Sequence, residues 1–93
     1  MALNELTEKI RGKVAGGGIS DTVKFDCGEA GVIFVEGADV SNEDKDADCT
    51  IRISEDNLES LLAGELNPTT AFMTGKIKVD GDMSIAMKLG SIV

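Results

Sequence analysis

Histidine, tryptophan and tyrosine are absent from this 93-residue chain, and each absence removes a class of function. Without histidine there is no Ser-His-Asp or Cys-His nucleophile, and no imidazole to carry protons near neutral pH. A zinc site needs histidine or at least three thiolates, but the chain has only Cys27 and Cys49. We therefore predict that the chain is not an enzyme, holds no metal ion and needs no cofactor.

Basic charge and aromatic side chains are also scarce. Nine lysines and arginines stand against 17 acidic residues, which gives a net charge of −8, and three phenylalanines are the only aromatic residues. Nucleic-acid binding relies on a basic surface and often on aromatic stacking, so we exclude it. Lys9, Arg11 and Lys13 could touch lipid headgroups, but anionic membranes repel an acidic chain. We expect at most transient membrane contact.

The sequence has no long hydrophobic run. Residues 1–13 are charged throughout and lack the apolar core of a signal peptide, and no stretch approaches the roughly 20 apolar residues that span a bilayer. Two cysteines without such a leader fit a reducing compartment, so we predict a cytoplasmic protein. We interpret Cys27 and Cys49 as small buried hydrophobic residues rather than as a disulfide or a reactive thiol.

Hydrophobic residues make up 42% of the chain, and their spacing predicts the secondary structure. Leu3, Leu6, Ile10 and Val14 form the stripe of an amphipathic helix. Alternation with period two then predicts strands. The predicted order is a helix, strands at 22–27, 32–35 and around 40, a polar loop at 41–48, a strand at 49–53, two helices starting after Ser54 and Asn67, a strand at 76–80 and a helix from Met83 to Leu89.

Several predicted strands have one polar and one apolar face. Ile51 and Ile53 alternate with Thr50 and Arg52, for example, which favours a sheet with helices packed over one face. The strand at 32–35 is apolar on both faces, so it is either covered on both sides or in contact with a partner. We predict one α+β domain over residues 1–93.

The last predicted helix carries two apolar stripes instead of one. Met83, Ala86 and Met87 form the first stripe, and Ile85 and Leu89 form the second. One stripe can cover the sheet, and the other needs neighbouring helices, a partner chain or an apolar ligand. A methionine-rich core is the simplest explanation, because methionine adapts to irregular apolar space.

Two apparent motifs fail on inspection. Four acidic residues from Asp44 to Glu55 occupy positions 1, 3, 5 and 12 of a calcium loop, but Cys49 stands where the sharp turn requires glycine. The glycines at 16–18 lack the Lys-Ser/Thr of a phosphate-binding loop and do not follow a strand. We interpret the first as a solvated acidic loop and the second as a turn.

Residues 47–89 carry several separated motifs in a familiar order. They read ADCTIRI, then leucines at 58, 61 and 62, then Leu66-Asn67-Pro68, AFMTGKIKVDGDM and AMKL. This run closely resembles the sterol carrier protein type-2 lipid-binding domain family. The resemblance implies a five-stranded mixed sheet with helices over one face, enclosing an apolar tunnel. It implies a non-catalytic carrier whose only ligand is a sterol, fatty acid, fatty acyl-CoA or phospholipid.

The family layout and the inward-facing alternation together imply which residues line the tunnel. They are Phe34, Ile51, Ile53, Leu61, Leu62, Leu66, Phe72, Met73, Ile77, Met83 and Met87.

The chain departs from the family in three respects. It ends at Val93 without a peroxisomal address tripeptide, little sequence follows the last helix, and the net charge is acidic where many animal members are basic. We therefore expect a short, single-domain form with a more open tunnel. The alternative hypothesis is a self-associating module, such as a homodimer, that buries the strand at 32–35 and the last helix against a second chain.

Overall fold

The computed structural model describes residues 3–15 and 19–85. Within them the predicted order of elements is confirmed. The elements are α1 (Leu3–Val14), β1 (Ile19–Asp26), a 3-10 turn (Gly28–Ala30), β2 (Val32–Gly37), β3 (Asp39–Ser41), β4 (Cys49–Ile53), α2 (Glu55–Leu62), α3 (Pro68–Met73) and β5 (Ile77–Gly81). Residues 83–85 begin the last predicted helix, whose remainder, like the glycines at 16–18, lies outside the described residues.

The strands form one five-stranded sheet in the order β3-β2-β1-β4-β5. β1 and β4 run parallel, and the other neighbours run antiparallel. The predicted five-stranded mixed sheet is therefore confirmed. The connection between the parallel strands β1 and β4 contains β2, β3 and the polar loop at 42–48, which we call the outer loop.

One face of the sheet, which we call the inner face, is almost wholly aliphatic. Strand pairing aligns Ile33, Phe25, Ile51 and Val79 across four strands, because partners directly opposite each other share a face. The buried faces of α1 and α2 complete the core above it. Their contributions are Leu6, Ile10, Val14, Leu58, Leu61 and Leu62.

The opposite face, which we call the outer face, carries Lys24, Thr50, Arg52 and Lys78. The predicted polar face of the sheet is thus present. Phe34 lies on the same face, because it pairs directly with Lys24, yet it is only 4% exposed.

The outer loop accounts for the burial of Phe34. The Lys45 ammonium lies 5.6 Å from the centre of the Phe34 ring, and the Asp44 carboxylate accepts a hydrogen bond from Lys24 at 2.9 Å. The second strand is therefore covered on both faces within this chain. The sequence left two interpretations of this strand, coverage on both sides or contact with a partner, and the structure supports the first.

Both short helices begin with a side-chain cap, as predicted. The Ser54 hydroxyl accepts from the Asn57 amide, and the Asn67 side chain accepts from the amides of Thr69 and Thr70. Two residues after the end of each helix stands a glycine with a positive φ angle, Gly64 after α2 and Gly75 after α3, where residues other than glycine are strained. The caps therefore fix where each helix begins.

Polar contacts join α1 to the edge of the sheet. The Arg11 guanidinium donates to the Val40 carbonyl at 2.8 Å. The Asn42 amide donates to the Thr7 hydroxyl at 2.9 Å and to the Val32 carbonyl at 3.0 Å. Thr7 is 2% exposed, so these bonds satisfy a buried hydroxyl and hold the helix in place.

Candidate functional site

Five of the ten predicted tunnel residues that the structure describes lie in the core over the inner face. Ile51, Ile53 and Ile77 project from β4 and β5, and Leu61 and Leu62 project from α2. Each is at most 8% exposed and belongs to the same apolar cluster. The structure thus brings these five residues together.

Leu66 and Val79 lie at the margin of this cluster, where both are partly buried. Val79 was not among the predicted tunnel residues, although it alternates with Ile77 on the apolar face of β5. Period-two alternation was the signal that could have identified it. These two residues therefore form part of the edge of the core.

Phe34 does not join this group, because it projects from the outer face. Neighbouring residues of a strand point to opposite faces, and Ile33 and Val35 occupy the inner face. Residues 32–35 are all apolar, so their sequence contains no alternation that could assign Phe34 to either side.

Three further predicted residues are exposed. Met73 is 80% exposed, and Phe72 and Met83 are each 45% exposed. Phe72 and Met73 precede β5, whereas Met83 follows its other end, and the five residues of β5 span about 13 Å between their first and last Cα atoms. Exposed apolar side chains therefore flank both ends of β5. Met87 lies outside the described residues.

The two thiols are poor nucleophiles. Burial raises the pKa of Cys27 to about 11, with smaller contributions from the carboxylates of Glu55 and Asp26. Burial also raises the pKa of Cys49, which is completely buried. Both thiols are thus protonated near neutral pH, as expected of small core residues.

The acidic residues do not assemble into a metal site. Within residues 3–15 and 19–85, no cluster of three or more acidic or cysteine side chains could hold a metal ion. Asp44 binds Lys24, and the Asp48 carboxylate accepts from both the amide and the hydroxyl of Thr22. The outer loop therefore uses its carboxylates to hold itself against the sheet.

Residues 2–93 match the SCP-2 sterol transfer family. The chain belongs to this family. Sterol carrier protein 2 from Bos taurus is 46% identical over 57 residues, which are 61% of this chain and 10% of that protein. The human protein is 42% identical over the same length. The match thus spans about a tenth of the length of these relatives.

Solved structures confirm the architecture of the SCP-2 domain. Sterol carrier protein 2 like 2 from Aedes aegypti superposes with a TM-score of 0.81 at 19% identity, covering 98% of this chain and 95% of that one. Sterol carrier protein 2 from the same insect, solved with the C16 fatty acid palmitate, gives 0.80 at 19% identity and covers 98% and 94%. At this identity the likeness concerns the fold.

Among residues 3–15 and 19–85, no helix is both long enough and apolar enough to cross a membrane.

Proposed function

We propose that this SCP-2 domain is a non-catalytic cytoplasmic lipid carrier that holds an acyl chain or a sterol between the inner face and the helices. The observation that carries the proposal is the continuous aliphatic inner face, which has exposed apolar side chains at both ends of β5. Family membership supports it, because a family structure contains bound palmitate.

The chemistry of the inner face suits such a ligand. Its walls are aliphatic side chains, the Phe25 ring and small thiols, with no charged group among the buried residues that the structure describes. Transfer of a hydrocarbon chain out of water gains about 0.8 kcal/mol per methylene, so apolar walls alone supply strong binding. Fatty acid, fatty acyl-CoA, sterol and phospholipid share this apolar requirement, and all four belong to the proposed ligand class.

The same composition supports carriage without reaction. The chain contains no histidine, and both thiols are held protonated. A bound ester or thioester would therefore meet no activated nucleophile in the described core.

A pair of matched valine substitutions tests the proposal. Val79 and Val32 are both half-buried, but Val79 projects from the inner face and Val32 from the outer face. Val79→Thr places a hydroxyl beside the proposed ligand, and Val32→Thr makes the same change on the other side of the sheet. We expect Val79→Thr to weaken fluorescent fatty-acid binding about tenfold, because the new hydroxyl is desolvated when the ligand binds. Val32→Thr should bind like the unchanged protein.

Displacement by unlabelled palmitate, sterol or acyl-CoA would then rank the ligands. The proposal is overturned if the unchanged protein binds none of them, or if both valine variants lose the same affinity. Mass spectrometry of organic extracts from the purified protein provides an independent measurement.

The alternative hypothesis of self-association was based on the apolar strand at 32–35 and on the last predicted helix. The strand no longer supports it, because the outer loop covers the outer face of β2 within this chain. Light scattering of the ligand-free protein tests what remains of that hypothesis.

A further inference from the structure

The segment from Thr69 to Lys78, which we call the α3–β5 corner, projects into solvent. All its residues are exposed except Ala71 and Ile77, which anchor it in the core. Phe72 and Met73 are two of the three large exposed hydrophobic residues in the described chain. They are the last two residues of α3, so both exposed side chains emerge at this corner, and together we call them the apolar protrusion. A protrusion of this kind favours insertion into an apolar or interfacial environment.

The corner also differs from the rest of the chain in charge. No aspartate or glutamate occurs between Glu65 and Asp80, in a chain whose net charge is −8. Lys76 and Lys78 are exposed, and neither forms an ion pair with any of the residues that the structure describes. The nearest acid in the sequence after them, Asp80, binds Arg52 at 3.1 Å. The corner therefore combines two exposed lysines with two exposed apolar side chains.

The backbone of the corner is already satisfied by internal hydrogen bonds. The Lys76 amide donates to the Ala71 carbonyl at 2.8 Å, and the Gly75 amide donates to the Phe72 carbonyl at 3.2 Å. The Thr74 amide and hydroxyl both donate to the Thr70 carbonyl. The carbonyls of Thr70, Ala71 and Phe72 would therefore keep their hydrogen bonds in a less polar medium. This removes the main cost of inserting a helix end.

Helix α1 does not combine exposed apolar side chains with basic residues, although it carries more basic residues than the corner. Its exposed positions hold no large apolar side chain. Its Arg11 binds the Val40 carbonyl and also pairs with Glu8. Helix α1 also contains two acids, Glu5 and Glu8, whereas the corner contains none.

We propose that the α3–β5 corner docks the protein on the surface of an anionic lipid bilayer. Phe72 and Met73 enter the interface, and the Lys76 ammonium binds a lipid phosphate while its alkyl stem lies along the apolar side chains. Acidic residues more than about 8 Å from the corner oppose this contact little, because their charges are screened at physiological salt. The proposal goes beyond lipid carriage and stands without it.

Co-sedimentation with vesicles tests the docking surface. The vesicles are phosphatidylcholine with about 30% phosphatidylserine, and pure phosphatidylcholine vesicles provide the uncharged comparison. We expect Met73→Ser to weaken binding about tenfold, since an interfacial apolar side chain is lost. Lys76→Glu should weaken it at least tenfold, because a lysine near such a surface strengthens binding about fivefold and the variant adds a repelled charge. Lys9→Glu, the same charge change on α1, should alter binding less than about twofold.

Three results would overturn the docking proposal. One is an unchanged protein that does not sediment with anionic vesicles. Another is an equal loss in Lys9→Glu and Lys76→Glu, which would indicate a diffuse charge effect. The third is a dimer that dissociates in Met73→Ser, measured by light scattering, which would make a second copy the occupant of the corner. Because Met73 is 80% exposed and Lys76 is also exposed, circular dichroism should show both variants folded.

The vesicle measurement is separate from the test of lipid carriage. Lys76→Glu should retain its affinity for a fluorescent fatty acid in vesicle-free buffer while it loses vesicle binding. A protein that binds vesicles but no fatty acid would refute carriage and leave docking supported, and the reverse result would refute docking alone.

Discussion

The two faces of the sheet each bury a phenylalanine, but they bury it in different ways. Phe25 on the inner face is 1% exposed and belongs to the continuous core under α1 and α2. Phe34 on the outer face is 4% exposed, yet it lies outside that core and beneath a polar loop. The two rings are thus similarly buried in different surroundings: Phe25 lies in a packed aliphatic core, and Phe34 lies under a thin polar loop.

The ionisable groups on the two faces show the same contrast. On the inner face, burial raises the pKa of Cys49, because the apolar surroundings disfavour the charged thiolate. On the outer face, the hydrogen bond to Asp44 raises the pKa of Lys24, which favours a charge there. One face of the sheet is thus suited to an apolar ligand and the other to water.

The largest expected effect comes from truncating the two phenylalanines. Phe25→Ala should lower the free energy of unfolding by about 3–5 kcal/mol, because its cavity is enclosed by packed side chains. Phe34→Ala should cost about 1–2 kcal/mol, because the outer loop can settle and water can enter. Urea unfolding measures both. Equal losses would show that the outer loop packs as tightly as the helices.

A smaller effect is expected from raising the pH. The pKa of Cys27 is about 11 in the folded protein and lower in the unfolded chain, so the unfolded state releases this proton first. The free energy of unfolding should therefore fall as the pH rises from about 9 to 11, and this contribution should be fully present below about pH 9. We expect a loss of about 1 kcal/mol, since solvent reaches part of the surroundings of the thiol.

Cys27→Ala is the control for that measurement. Lysines also titrate in this range, so the difference between the two proteins isolates the thiol. The interpretation fails if the variant loses as much stability between these pH values as the unchanged protein does.

The smallest effect concerns the attachment of the outer loop. The Thr22 hydroxyl accepts from the Asp48 amide at 2.9 Å and donates to the Asp48 carboxylate at 3.1 Å. Thr22→Val should cost about 0.5–1 kcal/mol in urea unfolding, because these exposed bonds are partly replaced by water. Thr50→Val is the matched control, since Thr50 shares the outer face and its hydroxyl bonds none of the described residues. An equal change in both variants would show that the loop is not held by Thr22.

Much of the fold could be predicted because the decisive signals are local. Ser54, Asn67 and Gly75 determine where the short helices begin and end through their own side chains or backbone freedom. Alternation assigned Ile51 and Ile53 to the apolar face before any partner strand was known. The candidate site was less predictable, because Met73 is apolar by sequence and yet 80% exposed.

Sequence alone thus determined the order of elements, the helix caps and the character of each alternating strand, because each depends on residues within a few positions of one another. Only the tertiary structure decided that Phe34 belongs to the outer face, that the outer loop covers it, and that Phe72 and Met73 project into solvent. Those outcomes depend on strand register and on contacts between distant segments, such as Lys24 with Asp44, and no local pattern contains them.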